Sequence, residues 1–124
     1  MIKCFNDYQS KACAMRVSLQ RLLIRYPDLP EDVIELLSIT YDGLGLGEAG
    51  EVQGKIKKII RDNGGEITAK AKDEIVKELG DCLWYIASMA QNLGVTLEYV
   101  ATANIEKLEK RHLDGTVHGS GDNR

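Results

Sequence analysis

Glu48 and Glu51, and then Glu78 and Asp81, are two acid pairs whose spacing could do chemistry. On an α-helix, residues three apart lie on one face, about one turn from each other. If two such faces oppose each other across a helical bundle, four carboxylates share one pocket. Their repulsion makes sense there only with divalent cations between them. Hard cations held by carboxylate oxygens point to Mg²⁺, with Mn²⁺ as a substitute, and those metals point to phosphate chemistry. A lone Glu-x-x-Glu is ordinarily solvated helix surface. Two pairs on successive helices, both bordering an apolar stripe, reverse that reading.

The elements that must position these acids are helical. Tyr8, Ala12, Met15, Leu19, Leu22, Leu23 and Tyr26 recur at helical steps and predict one helix over 6–26, capped by Asn6 or Asp7. Pro27-Asp28-Leu29-Pro30 stops it. A second helix is expected over 31–61, although Gly43, Gly45, Gly47, Gly50 and Gly54 interrupt it. Each interior glycine costs about 1 kcal/mol against alanine. The apolar pattern nevertheless continues in phase, so the helix is expected to run through, with a kink or break near 43–47 as the alternative. Glycines inside a helix usually mark the close approach of a backbone or ligand. Ala49, Val52, Ile56, Ile59 and Ile60 form the expected core stripe, with Glu48, Glu51 and Lys55 beside it.

Asp62-Asn63-Gly64-Gly65 supplies C-cap chemistry. Thr68 caps a third helix reaching Leu93, whose stripe is Ile75, Val76, Leu79, Cys82, Leu83, Ile86, Met89, Ala90 and Leu93. Glu74, Glu78, Asp81 and Tyr85 run along one edge of it, and Trp84 falls nearly opposite. Thr96 caps a fourth helix over 97–112 with Leu97, Val100, Ala101, Ile105 and Leu108 facing inward. Asn104 falls inside that arc, where a side-chain amide needs a partner. The expected organisation is one all-α domain over 1–113, a four-to-five-helix bundle, with a glycine-rich tail over 114–124.

The 124 residues suffice for one modest core. A net charge of −3 with no basic block argues against a nucleic-acid polymer as partner. No apolar run approaches the ~20 residues that span a bilayer, and the N-terminal stretch has no signal-peptide h-region. Cys4, Cys13 and Cys82 read as reduced thiols of a cytoplasmic protein. Lys55, Lys58, Lys107 and Arg111 could neutralise phosphate charge, with charge pairing the better reading for Lys58. Trp84 and Tyr85 could stack on a base, and Trp84 could equally bury in a subunit interface. Gly45-Leu46-Gly47-Glu48-Ala49-Gly50 matches G-x-G-x-x-G literally, but no strand precedes it, so the match is read as chance. His112 and His118 lack ligand spacing.

Asn6-Asp7-Tyr8-Gln9, Gly43-Leu44-Gly45-Leu46-Gly47-Glu48-Ala49-Gly50-Glu51-Val52, Lys77-Glu78-Leu79-Gly80-Asp81-Cys82-Leu83-Trp84-Tyr85 and Asn104-Ile105-Glu106-Lys107-Leu108-Glu109-Lys110-Arg111 together resemble the MazG-type nucleotide pyrophosphohydrolases. These belong to the all-α NTP pyrophosphatases. The resemblance covers nearly the whole chain, and the closing 119–124 also resembles short members of the group. It implies a homodimer or homotetramer with sites near subunit interfaces, and Mg²⁺-dependent cleavage of a nucleoside triphosphate to monophosphate and pyrophosphate. By position, it makes Glu48, Glu51, Glu78 and Asp81 the metal cluster and Asn104, Lys107 and Arg111 nucleotide contacts. Many members carry a second Glu just before the leading one; here that position is Gly47.

The expected reaction is attack of a metal-bound or Glu-held water on the α-phosphorus. Glu48 or Glu51 would orient that water, and Lys107 and Arg111 would steady the leaving pyrophosphate. The role would be housekeeping of the nucleotide pool. Two alternatives stand beside it. One is a different target on the same bundle: dUTP, phosphoribosyl-ATP or an alarmone. The other is a helical oligomer that binds metal–nucleotide without hydrolysing it.

Overall fold

The computed structural model describes residues 1–16 and 18–121, with the backbone alone for Ser18 and Leu19. Among these residues every regular element is helical: α1 Phe5–Ala14, α2 Ser18–Arg25, α3 Glu31–Gly45, a 3₁₀ turn Leu46–Glu48, α4 Ala49–Asp62, α5 Ala69–Asn92 and α6 Leu97–Leu113. The all-α expectation holds, and no strand accompanies the G-x-G-x-x-G match. Two of the expected helices are broken. The one over 6–26 comes as α1 and α2, because the backbone tightens to i→i+3 bonds at Met15 and Arg16. The one over 31–61 turns through the 3₁₀ segment, where glycines make the change of pitch cheap. The N-cap of α1 is Cys4 rather than Asn6 or Asp7. Asp7 instead accepts from the Lys3 N–H at 2.9 Å, and Asn6 donates to Glu98 at 2.7 Å.

The other punctuation falls where the residue types put it. Asn63 and Gly65 N–H groups both donate to the Ile59 carbonyl at 3.1 Å, with Gly65 at φ 86°, which closes α4. Thr68 and Thr96 accept from the Ala71 and Tyr99 N–H groups at 3.2 and 3.1 Å.

Helix α5 is the axis. It is about 36 Å long at 1.5 Å per residue, and α1, α3, the 3₁₀ turn, α4 and α6 all pack on it. Ala12 of α1, Ala87 of α5 and Leu97 of α6 form the buried cluster, with Tyr8, Leu83 and Trp84 against it. Trp84 therefore does not point away from the core, as one stripe on a helical wheel implied. A central helix is covered on several sides. Gln9 ties α1 to the α5–α6 junction: its Oε1 accepts from the Leu97 N–H at 2.7 Å and its Nε2 donates to the Val95 carbonyl at 3.0 Å.

The expected core stripes are otherwise largely uncovered in the single chain. Ile56, Ile60, Val76, Leu79, Leu93, Ile105 and Leu108 are exposed, and of the α4 stripe only Ile59 is buried. Every residue from 102 to 110 is exposed. Asn104, expected inside a buried arc, is exposed with the rest of this stretch. The three cysteines are free thiols. No helix is long and apolar enough to cross a membrane.

Candidate functional site

Helices α4 and α5 form an antiparallel hairpin, and the acids lie along it. Glu48 ends the 3₁₀ turn, Glu51 sits in the first turn of α4, and Glu78 and Asp81 sit mid-way along α5. Glu48 and Glu78 are half-buried, and Glu51 and Asp81 are exposed. At the Glu48 end, Tyr85 packs on Gly45. A Cβ there would lie 2.1 Å from the Tyr85 ring, so a residue with a side chain cannot stand at 45 unless the ring moves. This is the close approach that a glycine inside a helix suggests. Gly47, Gly50 and Gly54 have open space instead.

Tyr85 also meets Tyr41, ring centres 6.2 Å apart, and the edge of Trp84 at 4.9 Å. Burial raises the Tyr85 pKa above the usual phenol value; the Tyr41 hydroxyl and the charges of Glu48 and Asp42 add to it. On the α1 side Tyr8 is raised too, by burial first and then by the charge of Asp81. Both phenols are therefore neutral at physiological pH, each within the field of one acid of the two pairs.

A cation already lies on the acidic face. The Lys55 ammonium is 3.4 Å from Glu78 and 3.5 Å from Glu74. Its pKa is raised: partial desolvation opposes the charged form, and the two carboxylates outweigh that. Lys58 is exposed, and its charge helps Arg61 hold the Asp62 carboxyl below its ordinary value.

As a donor set, carboxylate oxygens on two neighbouring helices suit a hard divalent cation, and the ammonium on Glu78 shows that this face takes positive charge. Among the described residues, however, no three His, Cys, Asp or Glu side chains are gathered to hold an ion. Glu74, four residues before Glu78 on the same edge, joins this face although the motif alone did not single it out.

A cavity of about 520 Å³ opens beside the aromatic group, lined by Leu22, Arg25, Leu37, Tyr41, Leu44 and Trp84 among others. Its size and apolar walls suit a small organic ligand, and Tyr85 touches two of its lining rings, Tyr41 and Trp84.

The α6 residues stand elsewhere. Asn104 and Lys107 are exposed on it. Arg111 is buried and donates to the Gly121 carbonyl at 3.2 Å, and the Thr116 N–H returns to the Arg111 carbonyl at 2.8 Å. The first part of the tail is thus folded back on α6; residues 122–124 lie outside the described residues. The sequence reading also missed a buried polar chain. Asp42, 1% exposed, accepts from Asn92 Nδ2 at 2.7 Å, and the Asn92 side-chain Oδ1 accepts from the Arg16 guanidinium. No local pattern marks it, because its partners are far apart in sequence.

Residues 41–116, more than half of the chain, match the MazG nucleotide pyrophosphohydrolase domain. The chain belongs to the MazG family. The match spans both acid pairs and all of α6. Over 93 residues the chain is 48% identical to the Gene 37 protein of Mycobacterium phage L5, covering 75% of this chain and 81% of that protein. Over 74 residues it is 39% identical to the uncharacterized protein YvdC of Bacillus subtilis (strain 168), covering 56% and 70%. No solved structure matches. MazG-family enzymes generally depend on a divalent metal.

Proposed function

We propose that this MazG-family chain hydrolyses the α–β phosphoanhydride of nucleoside or deoxynucleoside triphosphates, releasing monophosphate and pyrophosphate with Mg²⁺ as the metal. The observation that carries the reading is the α4–α5 hairpin, which lines Glu48, Glu51, Glu78 and Asp81 along neighbouring helices with a cation already at Glu78. These acids would hold Mg²⁺, which supplies charge neutralisation of phosphate oxygens and a water of lowered pKa. Glu48 or Glu51 orients the water and takes its proton. Trp84 and Tyr41 present aromatic surface to the nucleoside in the neighbouring cavity. Asn104, Lys107 and Arg111 contact the phosphates.

Ile105 and Leu108 of α6 and much of the α4 and α5 apolar stripes are exposed among the described residues, so the reading includes a homodimer or homotetramer that closes them. Its setting is the cytoplasmic nucleotide pool.

The test is a product assay. Purified protein is incubated with each common ribo- and deoxynucleoside triphosphate and with dUTP, with Mg²⁺ and then with EDTA, beside Asp81→Asn. Monophosphate plus pyrophosphate, lost with EDTA and with the substitution, is the expected result. Diphosphate plus orthophosphate would overturn it.

One observation favours a second reading, a metal–nucleotide-binding oligomer without hydrolysis: the described acids do not close on one point in the single chain. Nucleotide binding with no product from any triphosphate, phosphoribosyl-ATP or alarmone would select it.

A further inference from the structure

Lys55 occupies a position that the proposed metal also needs. Of the ion pairs between described residues, Lys11–Asp7 and Arg61–Asp62 are local to one helix, whereas the pairs of Lys55 join α4 to α5. Glu74 and Glu78 stand four apart on α5, where like charges repel. The Glu78 side chain is only 18% exposed and that of Lys55 26%, so water screens this group incompletely. A counter-ion is needed there, and Lys55 provides it.

The hold is loose. Distances of 3.4 and 3.5 Å exceed the 2.7–2.9 Å of a strong charge-assisted hydrogen bond, and one ammonium is shared between two carboxylates. Lysine is a compact point charge on a flexible stem, so it can leave without disturbing the helix. The side chain also lines a charged cleft of about 360 Å³ with Glu74, Asp62, Lys58 and Lys70, so the ammonium can leave Glu78 while staying on the side of Glu74.

We propose that Lys55 is a built-in counter-ion that competes with the divalent cation for Glu78. With no metal bound, its ammonium neutralises Glu78 and Glu74 and keeps the α4–α5 hairpin closed. A divalent cation on Glu78 repels an ammonium this close, so the pair breaks as the cation binds. The freed ammonium then faces the charge-rich cleft, where it can meet phosphate. The inference rests on the metal-binding reading above, because it assumes that Glu78 is a ligand. It adds that metal affinity is set partly by a residue that is not a ligand.

The experiment measures Mn²⁺ binding alone, without nucleotide, by electron paramagnetic resonance and calorimetry on the full chain. Wild type is compared with Lys55→Met, Lys55→Arg, Lys58→Met and Glu78→Gln. Lys55→Met should bind Mn²⁺ about three- to tenfold more tightly, as expected for loss of a partly screened ion pair. Lys55→Arg should stay near wild type, and Glu78→Gln should bind far more weakly. Lys58→Met, which removes the same charge from the exposed side of α4, should change affinity less than twofold.

A second readout needs no variant. The Lys55 ammonium, followed by ¹⁵N NMR in wild type, should shift toward a free lysine as Mg²⁺ is added. An equal gain in Lys58→Met would overturn the proposal in favour of general charge. Unchanged or weaker binding in Lys55→Met, with Glu78→Gln still defective, would overturn it while leaving the metal reading intact. Absence of Mn²⁺ binding in wild type and Lys55→Met alike would overturn both. If Lys55→Met fails to fold, a Lys55 signal unmoved by saturating Mg²⁺ overturns the proposal on its own.

Discussion

At the scale of single residues, two sites combine tight packing with consequence. Asp42 is a fully buried carboxylate whose donor is Asn92. Removing that donor leaves a charged acceptor without its partner in the interior. Asn92→Ala should therefore cost about 2–3 kcal/mol, read as a lower urea midpoint with an unchanged slope. Gly45 is the other. A methyl at 45 would meet the Tyr85 ring at 2.1 Å, while one at Gly47 meets nothing. Gly45→Ala should cost about 1–3 kcal/mol through forced displacement of the ring, and Gly47→Ala should be neutral or mildly stabilising. Under the proposed function, Gly45→Ala should also lower turnover in the product assay, because Tyr85 packs beside the turn that carries Glu48, and near-UV circular dichroism should report the shifted tyrosine.

At the scale of elements, stability depends on ends. Thr68→Ala and Thr96→Ala each remove the acceptor of a free helix N–H and should cost about 1 kcal/mol, measurable as separate shifts in thermal midpoint. Asp7 anchors the start of α1. The Lys3 N–H, and then the Lys11 ammonium, hold its carboxyl below 3.8. A depressed folded value means that this contribution is present above pH 3.8 and is lost as pH falls through the folded value. Asp7→Asn should therefore lower stability across neutral and alkaline pH without changing the slope there, and flatten the acid limb of the stability–pH curve.

At the scale of the whole molecule, the uncovered apolar surface sets the behaviour. Ile56, Ile60, Val76, Leu79, Ile105 and Leu108 are exposed on α4, α5 and α6. Burying each such side chain fully is worth about 1.5–3 kcal/mol, and contiguous apolar faces of this kind mark interaction surfaces. Under the proposed assembly, the thermal midpoint should rise with protein concentration. Ile105→Glu with Leu108→Glu should shift sedimentation toward the monomer and lower that midpoint. A single sedimenting species of monomer mass at all concentrations would count against the assembly. Such an assembly would also place the exposed Asn104 and Lys107 against a neighbouring chain rather than in water.

What local chemistry decides was legible in the residues. The helices, the threonine caps, the glycine stop after α4 and the acid pairs on neighbouring helices all follow from side-chain type and short-range spacing, which act within one or two turns. The chain's membership of the MazG family was legible for the same reason, since its motifs are local. Pairing across the chain was not. That Asp42 would meet Asn92, that Tyr85 would lie on Gly45, and that Lys55 would lie on Glu78 and Glu74 depend on how α3, α4 and α5 pack. Periodicity also misjudged the core. An apolar stripe records that a face favours cover, but not by what, and among the described residues much of that face is exposed. The sequence alone therefore settled an all-helical chain, its threonine caps and two acid pairs on neighbouring elements; tertiary packing settled where two expected helices break and which cation Glu78 and Glu74 face, because ion pairs and ring contacts are set by distances that no spacing along one helix determines.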